Sequence, residues 1–425
     1  MVCYTSPIRR GERGFDFYPP NANTPRSGGV RLHGGEWNRG LDFMPKTAFI
    51  YSERMTSYSL GPEHPLRPER LRLTRDLASD YGLFGGDSRL LEPKPAEEAD
   101  ILSFHDAAYI QVVRELGEGR EVSTPWRFGF GYGDNPPFIG MYEASLLYTG
   151  ASIMAADLVM SGQAQRAFNI SGGLHHAKPA MASGFCIFND PVIAINRLRR
   201  TYDRIAYIDI DAHHGDGVQE AFYETDGVLT ISIHETGDYL FPGTGYVHET
   251  GRGSGRGYSV NIPLPPSTFD EVYVWAFREI VPPLISAYDP RVIVAQLGAD
   301  SHFQDPLAHL LLTSEGFTEV VKTIVGFGRP LVALGGGGYN VSVAPRLWTL
   351  AYAEMMEREL PDAIPEGFAR AHNIQRLRDS TRPELALTDS PRGELKSART
   401  SAEQAVRELK KLVFPTHGLG NGREG

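Results

Sequence analysis

The chain has 425 residues and a formal net charge of -10, from 42 basic and 52 acidic side chains. That balance argues against direct nucleic-acid binding, which needs a basic surface to displace counterions from phosphates, and suits a neutralised lysine or a cationic protein better. Two cysteines, Cys3 and Cys186, exclude a disulfide framework and a cysteine-built zinc cage, and no apolar run of about 18 residues predicts a membrane span, so a cytoplasmic chain is expected.

Residues 1–46 hold Arg9, Arg10, Pro19, Pro20, Gly28 and Gly29 without a sustained apolar period, which predicts a flexible or loosely docked extension. The first strand is expected over Thr47–Tyr51. The Pro-rich stretch from Gly61 to Pro68 then leads into a helix over Glu69–Tyr81 that presents Leu71, Leu73 and Leu77. His64 and Arg70 read equally as loop and cap groups or as functional ones. A helix over Asp106–Gly117 precedes a Gly/Pro/aromatic segment, Trp126–Gly140, of the irregular kind that forms functional loops and that contains Asp134. An Ala-rich helix follows over Glu143–Met160.

Further strands are predicted at 167–170, 205–210, 228–233, 292–297 and 330–334, and helices at 191–200, 217–223, 269–287 and 314–327. This alternation predicts one α/β catalytic domain over 47–380, with a central, mostly parallel sheet covered by helices on both faces. Beyond it, residues 381–425 are charged and Pro-rich, with only Ser401–Leu412 helical in pattern, and are expected to form a peripheral tail.

In such sheets ligands collect at the carboxyl ends of strands, and the polar clusters of this chain follow the predicted strands. His175 and His176 come after the second, and Asp209, Asp211, His213, His214 and Asp216 after the third. Asp300 follows the strand ending at Leu297, and the run Gly335–Gly338 with Tyr339 follows the last. Asp211, His213 and Asp300 offer two oxygens and one nitrogen to a divalent metal and leave a coordination position open, the signature of a catalytic rather than a structural site. Asp209 serves either as a ligand or from one layer behind. The paired histidines read as proton carrier and electrostatic helper, with Asp209 and Asp216 behind them, or alternatively as metal ligands. The glycine run lets backbone approach a ligand and swings in the Tyr339 phenol as an oxyanion donor. His302 and His309, near Asp300, are rival ligands, while apolar-flanked Cys186 reads as packing.

Five segments, GGLHHAKPAMASGFCIFND, YIDIDAHHGDGVQEAFY, TISIHETGDYLFPGTG, QLGADSHFQDPLAHLLLT and LGGGGYN, stand in this order between residues 172 and 340. Together they resemble the zinc-dependent histone deacetylase superfamily over about residues 46–355, most closely its class I branch and the bacterial acetoin-utilisation deacetylases. The resemblance implies an arginase/deacetylase-like fold and a hydrolase that removes acetyl or related short acyl groups from lysine ε-amino groups in proteins, or alternatively from small amines such as acetylpolyamines. It implies one zinc ion on Asp211, His213 and Asp300. It makes His176 the general base and acid, His175 the electrostatic partner, Asp216 and Asp209 their supports and Tyr339 the transition-state donor. Gly184, Phe185, Phe241 and Gly337 would shape the acyl-lysine tube, with Leu307 at its mouth and Asp134 holding the substrate backbone. Structural potassium is implied at Asp209, Asp211, His213, Ser232 and Ile233, and again at Phe222, Thr225, Val228 and Tyr258.

Overall fold

The structure, a computed structural model, describes residues 46–381, 383 and 391–420. The extension expected over 1–46 therefore lies, except for Lys46, outside the described residues. The strands are β1 (Thr47–Ile50), β2 (Ser88–Leu91), β3 (Arg166–Asn169), β4 (Ile205–Asp209), β5 (Val228–Glu235), β6 (Ser259–Leu264), β7 (Val292–Gln296) and β8 (Leu331–Leu334). They form one 8-stranded sheet in the order β2-β1-β3-β8-β7-β4-β5-β6, and every neighbouring pair is parallel. All residues of β1, β3, β4, β5, β7 and β8 are buried. Burial on both faces is what helix-covered parallel strands require, and it explains their nearly continuous apolar sequences.

The two strands that sequence patterning missed are the edges. β2 exposes Arg89 and Leu90, while β6 contains Pro263, a residue that costs a ladder hydrogen bond anywhere but at an edge. The helix Ala344–Met355 was missed for the opposite reason: nearly every residue in it is buried, so it has no polar face to set a helical period.

Within the expected tail runs the helix Pro391–Val413, longer than the 401–412 pattern. Its Ala398, Ala402, Val406, Leu409 and Val413 are buried, one stripe at three- and four-residue spacing. The helix packs on β6 and on the helix Asp270–Tyr288, so it shields the edge that Pro263 marks. Lys410 also pairs with Glu279, and His417 Nε2 donates to Gly257 O at 2.8 Å.

Parallel strands all point their carboxyl ends to one side. Because β3, β8, β7 and β4 are consecutive in the sheet, the loops that carry His175 and His176, Tyr339, Asp300, and Asp211 with His213 leave side by side. The sheet order thus gathers residues more than a hundred positions apart in the chain.

Candidate active site

Asp211, His213 and Asp300 are all buried, and their ligand atoms lie within 4.8 Å of one another. His213 Nδ1 is 2.9 Å from Asp300 Oδ2 and 3.2 Å from Asp211 Oδ1. The other carboxylate oxygens are engaged behind them. Ala212 N–H donates to Asp300 Oδ1 at 2.9 Å, and Asp211 Oδ2 accepts from Gly337 N–H at 2.7 Å and from Gln296 Nε2 at 2.6 Å. Such backing leaves one oxygen of each acid turned toward the imidazole, as an O,O,N donor set for zinc demands. Burial and the Asp211 charge push the Asp300 carboxyl upward. Burial would lower His213, but Asp211 and Asp300 outweigh it and raise it to about 10. Two acids around one imidazole therefore favour a bound cation, and the donor set fits a zinc-like ion. Among the described residues this is the one such group.

The paired histidines occupy two different electrostatic states. His175 Nδ1 is 2.8 Å from Asp209 Oδ2, His176 Nδ1 is 2.8 Å from Asp216 Oδ1, and the two Nε2 atoms face each other at 3.0 Å. That last contact needs a proton on one Nε2 and a lone pair on the other. Burial alone would lower His175, but the Asp209 and Asp211 carboxylates hold it at about 9. Burial and the neighbouring His175 charge lower His176 to about 4. His176 is thus the imidazole with a bare Nε2, its Nδ1–H held by Asp216. Burial would raise Asp216, but His176 and the Lys178 ammonium, 2.8 Å from Oδ2, hold it below the usual carboxylate range. Asp209 also accepts from Tyr207 O–H at 2.7 Å.

The residues expected to shape a tube contact this centre. The rings of Phe241 and His176 are 5.0 Å apart, and those of Phe185 and Tyr339 5.6 Å apart. Gly184 sits between: a β-carbon there would lie 2.5 Å from His176 Cδ2 and 2.8 Å from Phe241 Cε1. Gly184 and Phe185 both have positive φ, 50° and 70°, a turn that a side chain adopts only under local constraint. The Tyr339 ring lies 6.2 Å from that of His213. Burial and the Asp300 and Asp211 charges push its phenol well above the ordinary range, so it stays a donor. Between the imidazoles, Phe185, Gly337 and Tyr339 is a cavity of ≈ 20 Å³, roughly the room of one water.

The rim is less closely tied. Asp134 is exposed, and its carbonyl lies 3.3 Å from His64 Nε2, whose ring meets Phe185 at 4.5 Å. Leu307 is half-buried, and its N–H donates to Asp305 Oδ1 at 2.9 Å. Of the residues read as cation sites, Asp209 and Ser232 are register partners on β4 and β5, with Ile233 next in the strand. Tyr258 O accepts from Thr230 N–H at 2.9 Å, two residues beyond Val228; Phe222 O accepts from Thr225 N–H at 3.3 Å.

The rival ligands point elsewhere. His302 Nε2 is 2.8 Å from Asp379 and exposed His309 pairs with Glu235; in the strand-end cluster, His214 Nδ1 is 2.8 Å from Thr244 Oγ1. Cys186 Sγ donates to Gly184 O and burial pushes its thiol up, which fits packing. Several positioning residues escaped the sequence reading. Asp190 accepts from Gly173 N–H and Leu174 N–H, and Asn189 Nδ2 bonds the carbonyls of His175 and Ala177, which together shape the histidine turn. Asp305 Oδ2 accepts from Tyr339 N–H at 2.8 Å, and Arg70, which the sequence left open between a cap and a functional role, donates to Gly338 O at 2.9 Å. A polar residue ending an apolar strand, Gln296, was the one available signal.

Comparison with known proteins accords with this geometry. The histone deacetylase domain family matches residues 64–355. The acetoin utilization protein AcuC of Bacillus subtilis is 43% identical over 330 residues, spanning 76% of this chain and 85% of that protein. Histone deacetylase 19 of Arabidopsis thaliana is 39% identical over 324 residues, 76% of this chain and 64% of its own length. The crystal structure of a histone deacetylase homologue from Aquifex aeolicus superposes with a TM-score of 0.74 at 31% identity, covering 83% of this chain and 100% of that one. A homologue complexed with SAHA gives 0.75 at 31% identity over 84% and 100%.

Proposed function

The chain belongs to the histone deacetylase family, and from that membership we propose that it is a zinc-dependent amidohydrolase removing acetyl, or a related short acyl group, from the ε-amino group of lysine in proteins. The observation that carries this reading is that a water-sized cavity is lined by two carboxylate-backed imidazoles, a phenol and Asp211, one member of the buried O,O,N donor set. Zinc held by Asp211, His213 and Asp300 would supply Lewis-acid polarisation and acidify water to a pKa of roughly 7.

This chain's own groups do the rest. His176 accepts the proton of the attacking water at Nε2, because Asp216 keeps its other proton at Nδ1. His175, charged between Asp209 and Asp211, stabilises negative charge as it develops. The Tyr339 hydroxyl donates to the oxygen of the former carbonyl, and a protonated imidazole of the pair then delivers a proton to the leaving amine. Phe185 and Phe241 line the path of the aliphatic lysine chain and exclude water from it. Asp134 at the rim holds the substrate backbone, with Leu307 beside the mouth; Asp209, Asp211, His213, Ser232 and Ile233 would hold one structural potassium ion, and Phe222, Thr225, Val228 and Tyr258 a second. We place the enzyme in the cytoplasm; among the described residues no helix is long and apolar enough to cross a membrane.

The test is turnover on a panel of acyl-lysine peptides and acetylated polyamines, with metal analysis of the same sample. Preferred hydrolysis of acetyl-lysine peptide by zinc-loaded protein is the expected result. Full activity after complete metal removal would overturn the scheme, and exclusive turnover of polyamines would replace the protein substrate.

A further inference from the structure

We propose that Asp379, which lies outside the family-matched region 64–355, is a positioning residue that latches the Asp300 and Tyr339 loops from the C-terminal side. The inference rests on the zinc-site reading above.

The Asp379 side chain, 8% exposed, lies among three elements that border the reaction centre. Its Oδ2 accepts from His302 Nε2 at 2.8 Å and from Ser314 N–H at 2.7 Å. Its Oδ1 accepts both Arg346 NH1 and NH2 at 3.0 Å. Its own N–H donates to Ser314 Oγ at 2.8 Å. Arg346 also donates to Ser342 O and Leu377 O, so it ties the Gly-rich loop's downstream helix to the same segment. A guanidinium giving two N–H groups to one oxygen, and an imidazole and a helix-start amide on the other, make a directional clamp on one largely covered carboxylate, unlike a solvent-exposed ion pair.

The tautomer of His302 shows that the clamp reaches the loop. Gln304 N–H donates to His302 Nδ1 at 3.1 Å, so the ring proton is on Nε2 and is given to Asp379. His302 thereby closes the turn that begins at Asp300: Asp305 N–H donates to His302 O at 2.8 Å, and Phe303 N–H to Leu312 O at 2.9 Å. Asp305, at the end of that turn, accepts the N–H of Tyr339. From Asp379 the contacts run through His302, two residues along the same turn from Asp300 and with its N–H on Ala299 O, and on through Asp305 to the Tyr339 backbone. His302 first read as a rival ligand; the geometry instead makes it the link that aims the true one.

Partners standing behind metal ligands typically change metal affinity or activity by roughly 10- to 100-fold. The experiment is zinc affinity by chelator competition, with kcat and KM on an acetyl-lysine peptide, for Asp379→Asn and His302→Leu. Asp362→Asn serves as control: Asp362 Oδ1 accepts Arg378 N–H at 2.7 Å, so this change loosens the same segment without touching His302. The expected result is zinc binding about 10-fold weaker in both latch variants, with kcat lowered, KM little changed and the control near wild type. His302→Leu leaves the Arg346 pair in place and decides the matter if Asp379→Asn does not fold. Unchanged zinc affinity in the folded variants, or an equal loss in Asp362→Asn, overturns the latch. Because zinc affinity is read without substrate, an inactive wild type that binds zinc would refute the deacylation reading and leave this test intact.

Discussion

Replacing Gly337 by alanine places one methyl group against the two carboxylates proposed to hold the metal and leaves every donor in the chain. An ideal β-carbon at Gly337 would stand 2.1 Å from Asp300 Oδ2 and 2.9 Å from Asp211 Oδ2. A close carbon-to-oxygen contact needs roughly 3.3 Å, so the Asp300 oxygen must retreat by about 1.2 Å. Zinc–oxygen distances tolerate only about 0.2 Å of change. The Gly337 φ lies outside the positive range that side chains avoid, so backbone strain does not confuse the outcome. The expected result is a folded protein whose zinc affinity falls on the order of 100-fold or more, with activity partly restored by excess zinc, the upper end of what displaced supporting groups cost. Chelator competition, paired with urea unfolding to confirm the fold, measures it. A folded Gly337→Ala protein that binds zinc within threefold of wild type refutes the assignment of Asp211 and Asp300 as co-ligands.

Tyr339→Phe removes only a hydroxyl, since Asp305 still holds the backbone N–H and Phe185 the ring. Turnover at saturating peptide should fall by roughly 10²- to 10³-fold with KM almost unchanged, and unchanged kcat removes the phenol from the mechanism. Asp216→Asn takes away the charge that orients His176 and should lower kcat by roughly 10²- to 10⁴-fold without loss of zinc; retention of full turnover would remove His176 as the base. Leu409→Ala opens the fully buried stripe of the last helix and should destabilise the protein by roughly 2–5 kcal/mol in urea unfolding. A change below about 0.5 kcal/mol, typical of surface substitutions, would mean that this helix is not docked in solution.

What could be read in advance was whatever has a local period. Ile205–Asp209 and Val292–Gln296 are buried on both faces, so their apolar runs announced strands, and the rule that ligands gather at strand ends then collected Asp211, His213, His175, His176, Asp300 and Tyr339. Edge strand β6 hid behind Pro263, and of the last helix only Ser401–Leu412 was legible, its first turns and its docking lying behind a polar composition in which about one residue in each turn faces inward. Supporting contacts were invisible for another reason. Lys178 meets Asp216, Gln296 meets Asp211 and Asp379 meets His302 across 38, 85 and 77 positions, and only the sheet order brings such residues together. Nothing in the neighbouring sequence of Lys178 or Asp379 marks them, because each is an ordinary surface residue type whose role is set entirely by its partner.

The balance of buried charge yields one more expectation. Asp209, Asp211, Asp216 and Asp300 all lie in or beside the centre, and an isolated buried carboxylate would take up a proton. Asp209 is answered by His175 and Tyr207, and Asp216 by His176 and Lys178. Asp211 and Asp300 share His213, neutral donors and each other, with His175 Nε2 a further 3.9 Å from Asp211 Oδ1. Burial and Asp211 accordingly push Asp300 upward, and the two acids, against the cost of burial, raise His213 to about 10. Ligands must lose such protons to bind a cation, so zinc uptake at pH 7 should release protons and tighten as pH rises. Titrating zinc into apo-protein in buffers of different ionisation enthalpy measures that release directly. Asp300→Asn, with one carboxylate fewer, should bind more weakly and release fewer protons. Zinc binding with no proton release in the wild type would mean that the metal enters somewhere other than between Asp211, His213 and Asp300.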